Sequence, residues 1–379
     1  MRLLPDAIQT QLLWNHIHAS RFVWNYALAL QEEAYKSKEK FISKYDMRQK
    51  FREIKQLENF KWLKDISSHT ISNVCIDLDK SYALFFKNLT GKPKFKKKNK
   101  CKSAFPVRQD RIYFFNNLVN IEKIGKIRYV SNLNIPQGRN SCKFSNPRIC
   151  YENNKWILSF CIECENQAPI LNNYSLGIDL GVKELATVFY NNNHKIYKNI
   201  NKSKRVKMLK HKLIHLQRKL DRKYKTNNVL NIYDKKYYKS NNIIKVENQI
   251  RQVYNQLFNI RTNYIHQITH EIVSLFPRRI VMENLNITGM MKNKHLSKAI
   301  GEQCFYSFIQ KMKYKCEWNG IEFVQADRFY PSSKSCSGCG CIKSDLKLSD
   351  RTYVCKECGL VIDRDLNATI NLSNYSTAS

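Results

Sequence analysis

Two cysteine pairs with matched spacing are the feature that most constrains how this chain can fold. Cys336 and Cys339 form one CxxC pair, and Cys355 and Cys358 form a second pair after 15 further residues. This is the spacing of a structural zinc site, because a two-residue gap lets both thiolates of a pair bind one tetrahedral ion. Four thiolates leave no open coordination position, so we expect the zinc ion to stabilise structure and to take no part in chemistry.

The remaining cysteines predict a reducing environment. The total of thirteen is odd, and the nine outside the two pairs show no spacing typical of a disulfide framework. Cys341 lies just beyond the first pair, where its position makes it a spectator. No run of about 18 apolar residues is present to span a bilayer. We therefore expect a cytoplasmic protein without a membrane partner.

The charge balance points to a polyanionic partner. Lys and Arg total 65 against 31 Asp and Glu, which gives a formal net charge of +34. A compact body with that charge repels itself unless a polyanion neutralises it, and phosphate backbones are the natural candidates. A lysine-rich proteome would also produce a basic surface, although such a bias should have enriched Glu as well.

Hydrophobic periodicity predicts a multidomain α+β protein. Phe22, Val23 and Tyr26 belong to a pattern with three- and four-residue steps, which indicates an N-terminal helical bundle. The run GKPKFKKKNK at 91–100 holds six lysines and a proline, so we expect a loop. Short alternating runs between 102 and 165 indicate strands of a β-rich, barrel-like domain, and SLGIDLGVKELATVFY and HKIYKNI indicate three further strands.

A basic helical hairpin is predicted after these strands. Two apolar seams with steps of three and four residues, one from Val206 to Leu220 and one from Val246 to Tyr264, are typical of paired helices, with a turn around 227–242. Residues 202–225 hold eleven Lys or Arg against the single Asp221, which favours a phosphate-facing surface over a solvated one. The candidate nucleic-acid contacts come from the lysine run and from this hairpin: Lys92, Lys94, Lys96, Lys97, Lys98, Lys204, Arg205 and Lys212.

Three carboxylates are candidates for one metal-binding cleft. Asp179 lies in the apolar strand LGIDLG, Glu283 ends the apolar strand RIVME, and Asp365 opens the helix DLNATINL. Carboxylates beside apolar neighbours suffer desolvation and mutual repulsion unless cations neutralise them. Two Mg²⁺ ions about 3.5–4 Å apart, or Mn²⁺ in their place, would do so and would support phosphodiester hydrolysis.

Alternatives to this triad remain open from the residues alone. Asp365 could cap its helix, and Glu283 could pair with Arg279. The rival acids are Asp363, Asp327 and Glu184.

Motifs along nearly the whole chain resemble the TnpB nucleases of transposons, which are compact relatives of type V CRISPR effectors. In the family's order stand GIDLGVKELAT, VMENLNITGM, FYPSSKSCSGCG, YVCKECG and DRDLNATINL, with RLLPDAIQTQLLWNHIHASRFVWNYALAL and GKPKFKKK upstream. The resemblance implies an RNase H-like (RuvC-type) nuclease domain interrupted by a zinc ribbon, and it maps the catalytic acids to Asp179, Glu283 and Asp365. Because Met1 stands directly ahead of RLLP, we expect that the first strand is short or that the start codon was chosen late.

The resemblance also implies a division into domains. We expect a β-rich wedge domain from 1–12 and 91–172, and a helical recognition domain over 13–90. The nuclease domain is expected over 173–326, with the hairpin at 202–272, and it resumes at 361–379. The zinc ribbon is expected at 327–360.

The function that the resemblance implies is an RNA-guided DNA endonuclease. Its partners would be a guide RNA from the transposon end and double-stranded target DNA beside a short protein-read motif, while base pairing reads the rest. We expect a monomer in the ribonucleoprotein, at the prokaryotic nucleoid. Two alternatives stay open: a compact CRISPR effector, and a nuclease-dead, RNA-guided repressor, which the complete triad disfavours.

Overall fold

The computed structural model describes residues 1–98, 101–131, 144–163, 169–230, 239–347 and 350–376. The chain divides into two compact units, Met1–Cys164 and Glu165–Ser379. Within the described residues, no helix is both long enough and apolar enough to cross a membrane.

The helices of the first unit form their own core. They are α1 (Ala7–Lys36), α2 (Lys44–Ile54) and α3 (Ser68–Phe86). Asp6 caps α1, because its carboxylate accepts from the Gln9 amide nitrogen at 2.7 Å while the Gln9 side chain accepts from the Asp6 amide. Val23, Phe51 and Leu78 are among the buried residues that join the three helices, so the predicted helical bundle is confirmed.

The strands of the first unit form one antiparallel sheet. They are β1 (Arg2–Leu4), β2 (Ala104–Pro106), β3 (Tyr113–Phe115), β4 (Leu118–Ile121), β5 (Gly125–Val130), β6 (Phe144–Glu152) and β7 (Lys155–Ile162). Their order is β2-β6-β7-β1-β5-β4-β3. The first strand, β1, is short and lies between β7 and β5. The predicted barrel-like closure is wrong for the described strands, since β2 and β3 stand at opposite edges and do not pair.

A mixed sheet of five strands organises the second unit. Its strands are β8 (Asn172–Leu180), β9 (Glu184–Tyr190), β10 (Asn193–Lys198), β11 (Pro277–Met282) and β12 (Glu322–Gln325). The order is β10-β9-β8-β11-β12, with β8, β11 and β12 parallel and the β8–β9 and β9–β10 pairs antiparallel. The three strands predicted from Ser175 onward are thereby confirmed.

The second unit also contains helices. They are α4 (Lys204–Leu230), α5 (Asn241–Val273), α6 (Ile287–Met290), α7 (Ser297–Gln303), α8 (Phe305–Trp318) and α9 (Arg364–Ser373). α4 and α5 pair through the predicted apolar seams, with Val206 and Val253 fully buried. The turn between them was predicted to begin at Asn227, but Asn227 lies inside α4; the predicted turn otherwise falls largely on residues 231–238, outside the described part of the chain.

A small ribbon precedes the last helix. Its strands β13 (Thr352–Val354) and β14 (Val361–Asp363) pair antiparallel, and β14 continues directly into α9. The ribbon therefore connects to the helix that carries Asp365 without an intervening loop.

Candidate metal centres and nucleic-acid contacts

The four paired cysteines converge on one point. The ligand atoms of Cys336, Cys339, Cys355 and Cys358 all lie within 4.8 Å of one another. The Sγ atoms of Cys336 and Cys358 are 3.5 Å apart, and those of Cys339 and Cys355 are 3.6 Å apart. These separations fit the edges of a tetrahedron with Zn–S distances of about 2.3 Å. The cluster can hold a metal ion such as zinc, as the spacing predicted.

Local backbone geometry builds both cysteine turns. Gly340 and Gly359 adopt φ values of +77° and +71°, which a residue without Cβ tolerates best. The Cys336 amide donates to the Cys341 carbonyl at 2.8 Å, and the Cys355 amide donates to the Leu360 carbonyl at 2.9 Å. Cys341 thus contributes backbone and stays outside the sulfur cluster, as predicted.

One cysteine of the cluster, Cys355, favours the thiolate form. Hydrogen bonds from the backbone amide groups of Cys358 and Glu357, together with the neighbouring thiols, lower the pKa of Cys355 to about 6. A deprotonated sulfur is the form that binds a metal ion.

Strand register brings Asp179 and Glu283 together. β8 and β11 run parallel, with Ile178 opposite Met282, so the next residues along the two strands are Asp179 and Glu283. Carboxyl ends of parallel strands meet at the same edge of a sheet, and both side chains are half-buried there. The sheet thus sets side by side two acids that are more than 100 positions apart in the chain.

Helix α9 brings the third acid to the same edge. Asp365 is half-buried in the first turn of α9, which packs on the face of β8. Gly177 makes this packing possible, because a Cβ at that position would overlap the Thr369 carbonyl oxygen and would lie 2.7 Å from the Ser373 amide nitrogen. Sequence reasoning missed Gly177; its signal was a glycine inside an apolar strand, which often marks a close backbone approach.

The three acids are electrostatically coupled. Burial raises the pKa of Asp179 well above its ordinary value, and the negative charges of Glu283 and Asp365 raise it further. Burial also raises the pKa of Glu283, which Arg364 and a hydrogen bond from the Asp179 carboxyl partly offset. Burial and the nearby Asp363 raise the pKa of Asp365. The charged forms are therefore unfavourable until a cation neutralises them.

The carboxylates are more widely spaced than the cysteines. Among the described residues, only the four cysteines form a group of three or more metal-ligand side chains with all ligand atoms within 4.8 Å. The three acids thus share one electrostatic environment without closing on a single point. A pair of ions about 3.5–4 Å apart needs such a wider spread of ligands.

The rival acids have other partners. Asp363 is the N-cap of α9, since its carboxylate accepts from the amide groups of Asp365 and Leu366 at 2.9 and 3.1 Å. Asp327 is exposed and accepts from the Phe329 amide at 2.8 Å. Arg279 lies 3.7 Å from Glu322, the residue opposite it on β12, instead of pairing with Glu283.

A buried glutamine was also missed. Gln303, at the end of α7, is 2% exposed, and its Nε2 donates to the carbonyl oxygens of Gly181 and Val182 at 3.1 and 3.2 Å. It thereby fixes the turn that follows Asp179. No spacing rule in the sequence indicated its partners.

The candidate nucleic-acid contacts fall into two groups. Lys94, Lys97 and Lys98 are exposed in the first unit, and Lys204, Arg205 and Lys212 are exposed on α4. Lys92 pairs with Glu32 at 3.1 Å. The Nζ of Lys96 lies 3.6 Å from the centre of the Trp24 ring, and burial lowers the pKa of this lysine. Lys96 therefore has a packing role inside the protein, whereas the exposed lysines are free to meet solvent.

These observations define a class: a two-unit α+β protein with an acidic edge on a mixed sheet and a Cys₄ ribbon ahead of its last helix. Three family models match successive parts of the chain. They are a helix-turn-helix domain of the OrfB_IS605 type at 1–40, the OrfB_IS605 family described as "Probable transposase" at 159–294, and the Cas12f1-like TNB domain at 305–372. Together with its relatives, these matches confirm the resemblance predicted from the motifs.

Two bacterial relatives align along nearly the whole chain. The protein InsQ of Escherichia coli strain K12 is 28% identical over 98% of this chain and 90% of its own length. A protein of Streptomyces pristinaespiralis is 25% identical over 98% of this chain and 87% of its own length. Both carry the name "Putative RNA-guided DNA endonuclease".

A solved structure shares the fold. The protein in the cryo-EM structure of a Cas12f1–sgRNA–target DNA complex matches with a TM-score of 0.57 at 14% identity, over 96% of this chain and 82% of that chain. The predicted multidomain α+β class is therefore confirmed.

Proposed function

We propose that this protein is an RNA-guided DNA endonuclease that hydrolyses phosphodiester bonds with divalent metal ions. The observation that carries the proposal is the convergence of Asp179, Glu283 and Asp365 at one edge of the sheet, from two strands and a helix. Raised pKa values at half-buried carboxyls indicate a site suited to cations and left incomplete without them.

The donor set fits Mg²⁺ or Mn²⁺. All three side chains offer hard carboxylate oxygens, and no thiol or imidazole is among them. When bound, a pair of such ions would stabilise the attacking and leaving oxygens of the scissile phosphate. The Cys₄ cluster offers soft sulfur ligands instead, and we propose zinc as its ion.

The chain's own residues supply position and charge. The pairing of β8 with β11 positions Asp179 and the residue that directly follows β11, Glu283, and Gln303 holds the turn beyond Asp179. Asp363 is the N-cap of α9. The Asp365 carboxylate therefore does not serve as the cap of its helix. Burial raises the pKa of all three acids, and the positive charge of Arg364 offsets part of that rise and helps to balance their negative charge.

The partners follow from the names of the relatives and from the charge. We propose a guide RNA from the transposon end, with target DNA selected by base pairing beside a short motif that the protein reads. The +34 net charge suits a polyanionic partner. We propose the domain division given above and a monomeric ribonucleoprotein at the nucleoid in the cytoplasm.

One experiment tests the function directly. The chain is purified after expression with its native flanking DNA, the copurified RNA is sequenced, and a plasmid library with randomised flanks is challenged in Mg²⁺ or in EDTA. We expect RNA from the element's own end and cleavage in Mg²⁺ alone. A guide from a separate repeat array would instead identify a CRISPR effector, and guided binding without cleavage would identify a repressor.

A further inference from the structure

A fully buried amide links the cysteine ribbon to the helix of the third acid. Asn367, two residues beyond Asp365 in α9, is 0% exposed. Its Oδ1 accepts from the Ser337 amide at 2.9 Å, and its Nδ2 donates to the Ser335 carbonyl at 2.7 Å. The two partners flank Cys336, so one side chain is hydrogen-bonded to the backbone on both sides of this cysteine. We call the segment around Cys336 and Cys339 the first cysteine turn, and the segment around Cys355 and Cys358 the second.

A second amide repeats the contact one helical turn later. Asn371 donates from Nδ2 to the carbonyl oxygens of Ser332 and Ser335, each at 2.7 Å. Because residues i and i+4 lie on the same helical face, both amides face the segment that leads into Cys336. The face of α9 that carries Thr369 and Leu372 packs on β8 at Gly177.

Both cysteine turns of the ribbon are therefore connected to α9. The second cysteine turn reaches α9 covalently, since Cys358 is followed by β14 and then by the helix. The first cysteine turn reaches α9 through Asn367 and Asn371. A metal ion bound by all four cysteines would join the two turns, so the position of α9 depends on that ion as well as on the two amides.

We propose that Asn367 is a positioning residue that transmits the state of the Cys₄ centre to Asp365. With the Cys₄ centre filled, the first cysteine turn holds α9 in the register that sets Asp365 beside Asp179 and Glu283. When the centre is empty or Asn367 is removed, α9 loses this restraint and the carboxylate site binds divalent ions more weakly. The inference rests on the proposed function only in treating the three acids as a divalent-ion site.

A metal-binding measurement without nucleic acid tests the role of Asn367 separately from the proposed nuclease function. Mn²⁺ is titrated into the purified chain, and the free ion is followed by electron paramagnetic resonance, with zinc content measured on the same samples. We expect Asn367→Ala to retain zinc and to weaken Mn²⁺ binding by about ten-fold, the usual effect of losing a residue that orients a metal ligand. Asn374→Ala is the matched control, because Asn374 is an exposed asparagine just beyond the same helix.

A double-mutant cycle identifies the route. In a Cys336→Ser background the first turn is already released, so Asn367→Ala should have no further effect on Mn²⁺ affinity. Independent ten-fold losses that multiply would overturn the proposal, and so would wild-type Mn²⁺ affinity in zinc-loaded Asn367→Ala. If Asn367→Ala does not fold, Asn371→Ala removes the second amide contact with the segment that leads into Cys336, and wild-type Mn²⁺ affinity in that zinc-loaded variant would overturn the coupling. Failure of the wild-type chain to cleave guided DNA, with Mn²⁺ binding and coupling preserved, would refute the proposed function alone.

Discussion

The cysteine ribbon and the carboxylate site lie in the same unit but are assembled differently. The ribbon takes its four ligands from residues 336–358, and short turns with hydrogen bonds between neighbours are enough to bring the sulfurs within 4.8 Å. The proposed carboxylate site would take its three ligands from residues 179–365, and its geometry depends on a correct strand register and on a helix packed on a glycine. The geometry of a site built from neighbouring residues depends mainly on its own turns. The geometry of a site built from distant residues depends on the packing of the whole unit.

The largest effect is expected at the carboxylate site itself. Asp179→Ala removes the acid that feels the charge of both others, so guided cleavage should fall by at least about 10³-fold. Guided DNA binding should change little, because the substitution leaves the basic surfaces intact. A cleavage assay and a binding assay on the same preparation measure both quantities. Asp327→Asn, at an exposed carboxylate past β12, is the control, and cleavage by Asp179→Ala at the wild-type rate would exclude the metal-site assignment.

A smaller but more specific effect is expected from the contact between α9 and β8. Gly177→Ala places a methyl group on the Thr369 carbonyl, so α9 must shift and carry Asp365 with it. We expect a loss of stability of about 3 kcal/mol and a fall in cleavage of about 100-fold, since small misplacements of reacting groups are costly.

Gly301→Ala is the matched control for this substitution. A Cβ at Gly301 in α7 would lie 3.7 Å from the Met291 side chain, an ordinary contact, and alanine favours a helix. Denaturant unfolding and cleavage rates compare the two variants. Equal effects would show that the packing of α9 on β8 does not determine the carboxylate site.

Substitutions in the ribbon test whether the local site affects the long-range carboxylate site. Cys336→Ser should eject the metal ion from the ribbon, while Cys341→Ser, whose sulfur lies outside the cluster, should retain it. Metal analysis measures this difference. We expect cleavage by Cys336→Ser to fall about ten-fold through the weakened restraint on Asp365. Full cleavage by a metal-free ribbon would make the two centres independent.

The same distinction decides how much the sequence could predict. Spacing alone identified the four cysteines, and apolar periodicity identified the α4–α5 hairpin, because both features depend on near neighbours. The hydrophobic pattern placed Asp179 and Glu283 at strand ends, but their adjacency depends on which strands pair, a long-range property. Gly177, Gln303 and Asn367 were missed for that reason: each acts on a partner in a distant segment.

The lysine run gives the smallest expected effect and tests the comparison in the first unit. Adjacency in the sequence predicted one role for Lys92, Lys94, Lys96, Lys97 and Lys98. Contacts with α1 give these lysines different environments. The Trp24 indole donates to the Lys94 carbonyl at 3.0 Å, and Asn25 exchanges two hydrogen bonds with the Lys96 backbone. The backbone of the run is thus fixed on α1, with the side chain of Lys96 turned onto Trp24.

Neutralising the exposed lysines should therefore differ from neutralising Lys96. The triple variant Lys94→Ala, Lys97→Ala, Lys98→Ala should weaken nucleic-acid binding several-fold and reduce the slope of log K against log salt by about 2. Lys96→Ala should leave that slope unchanged and lower the stability of the first unit by about 1 kcal/mol, through the lost contact with Trp24. Binding isotherms over a salt series and thermal unfolding measure the two effects. If Lys96→Ala changed the slope as much as a comparable exposed lysine does, sequence adjacency would be the better guide to this segment, and its contacts with α1 would not decide which lysines meet phosphate.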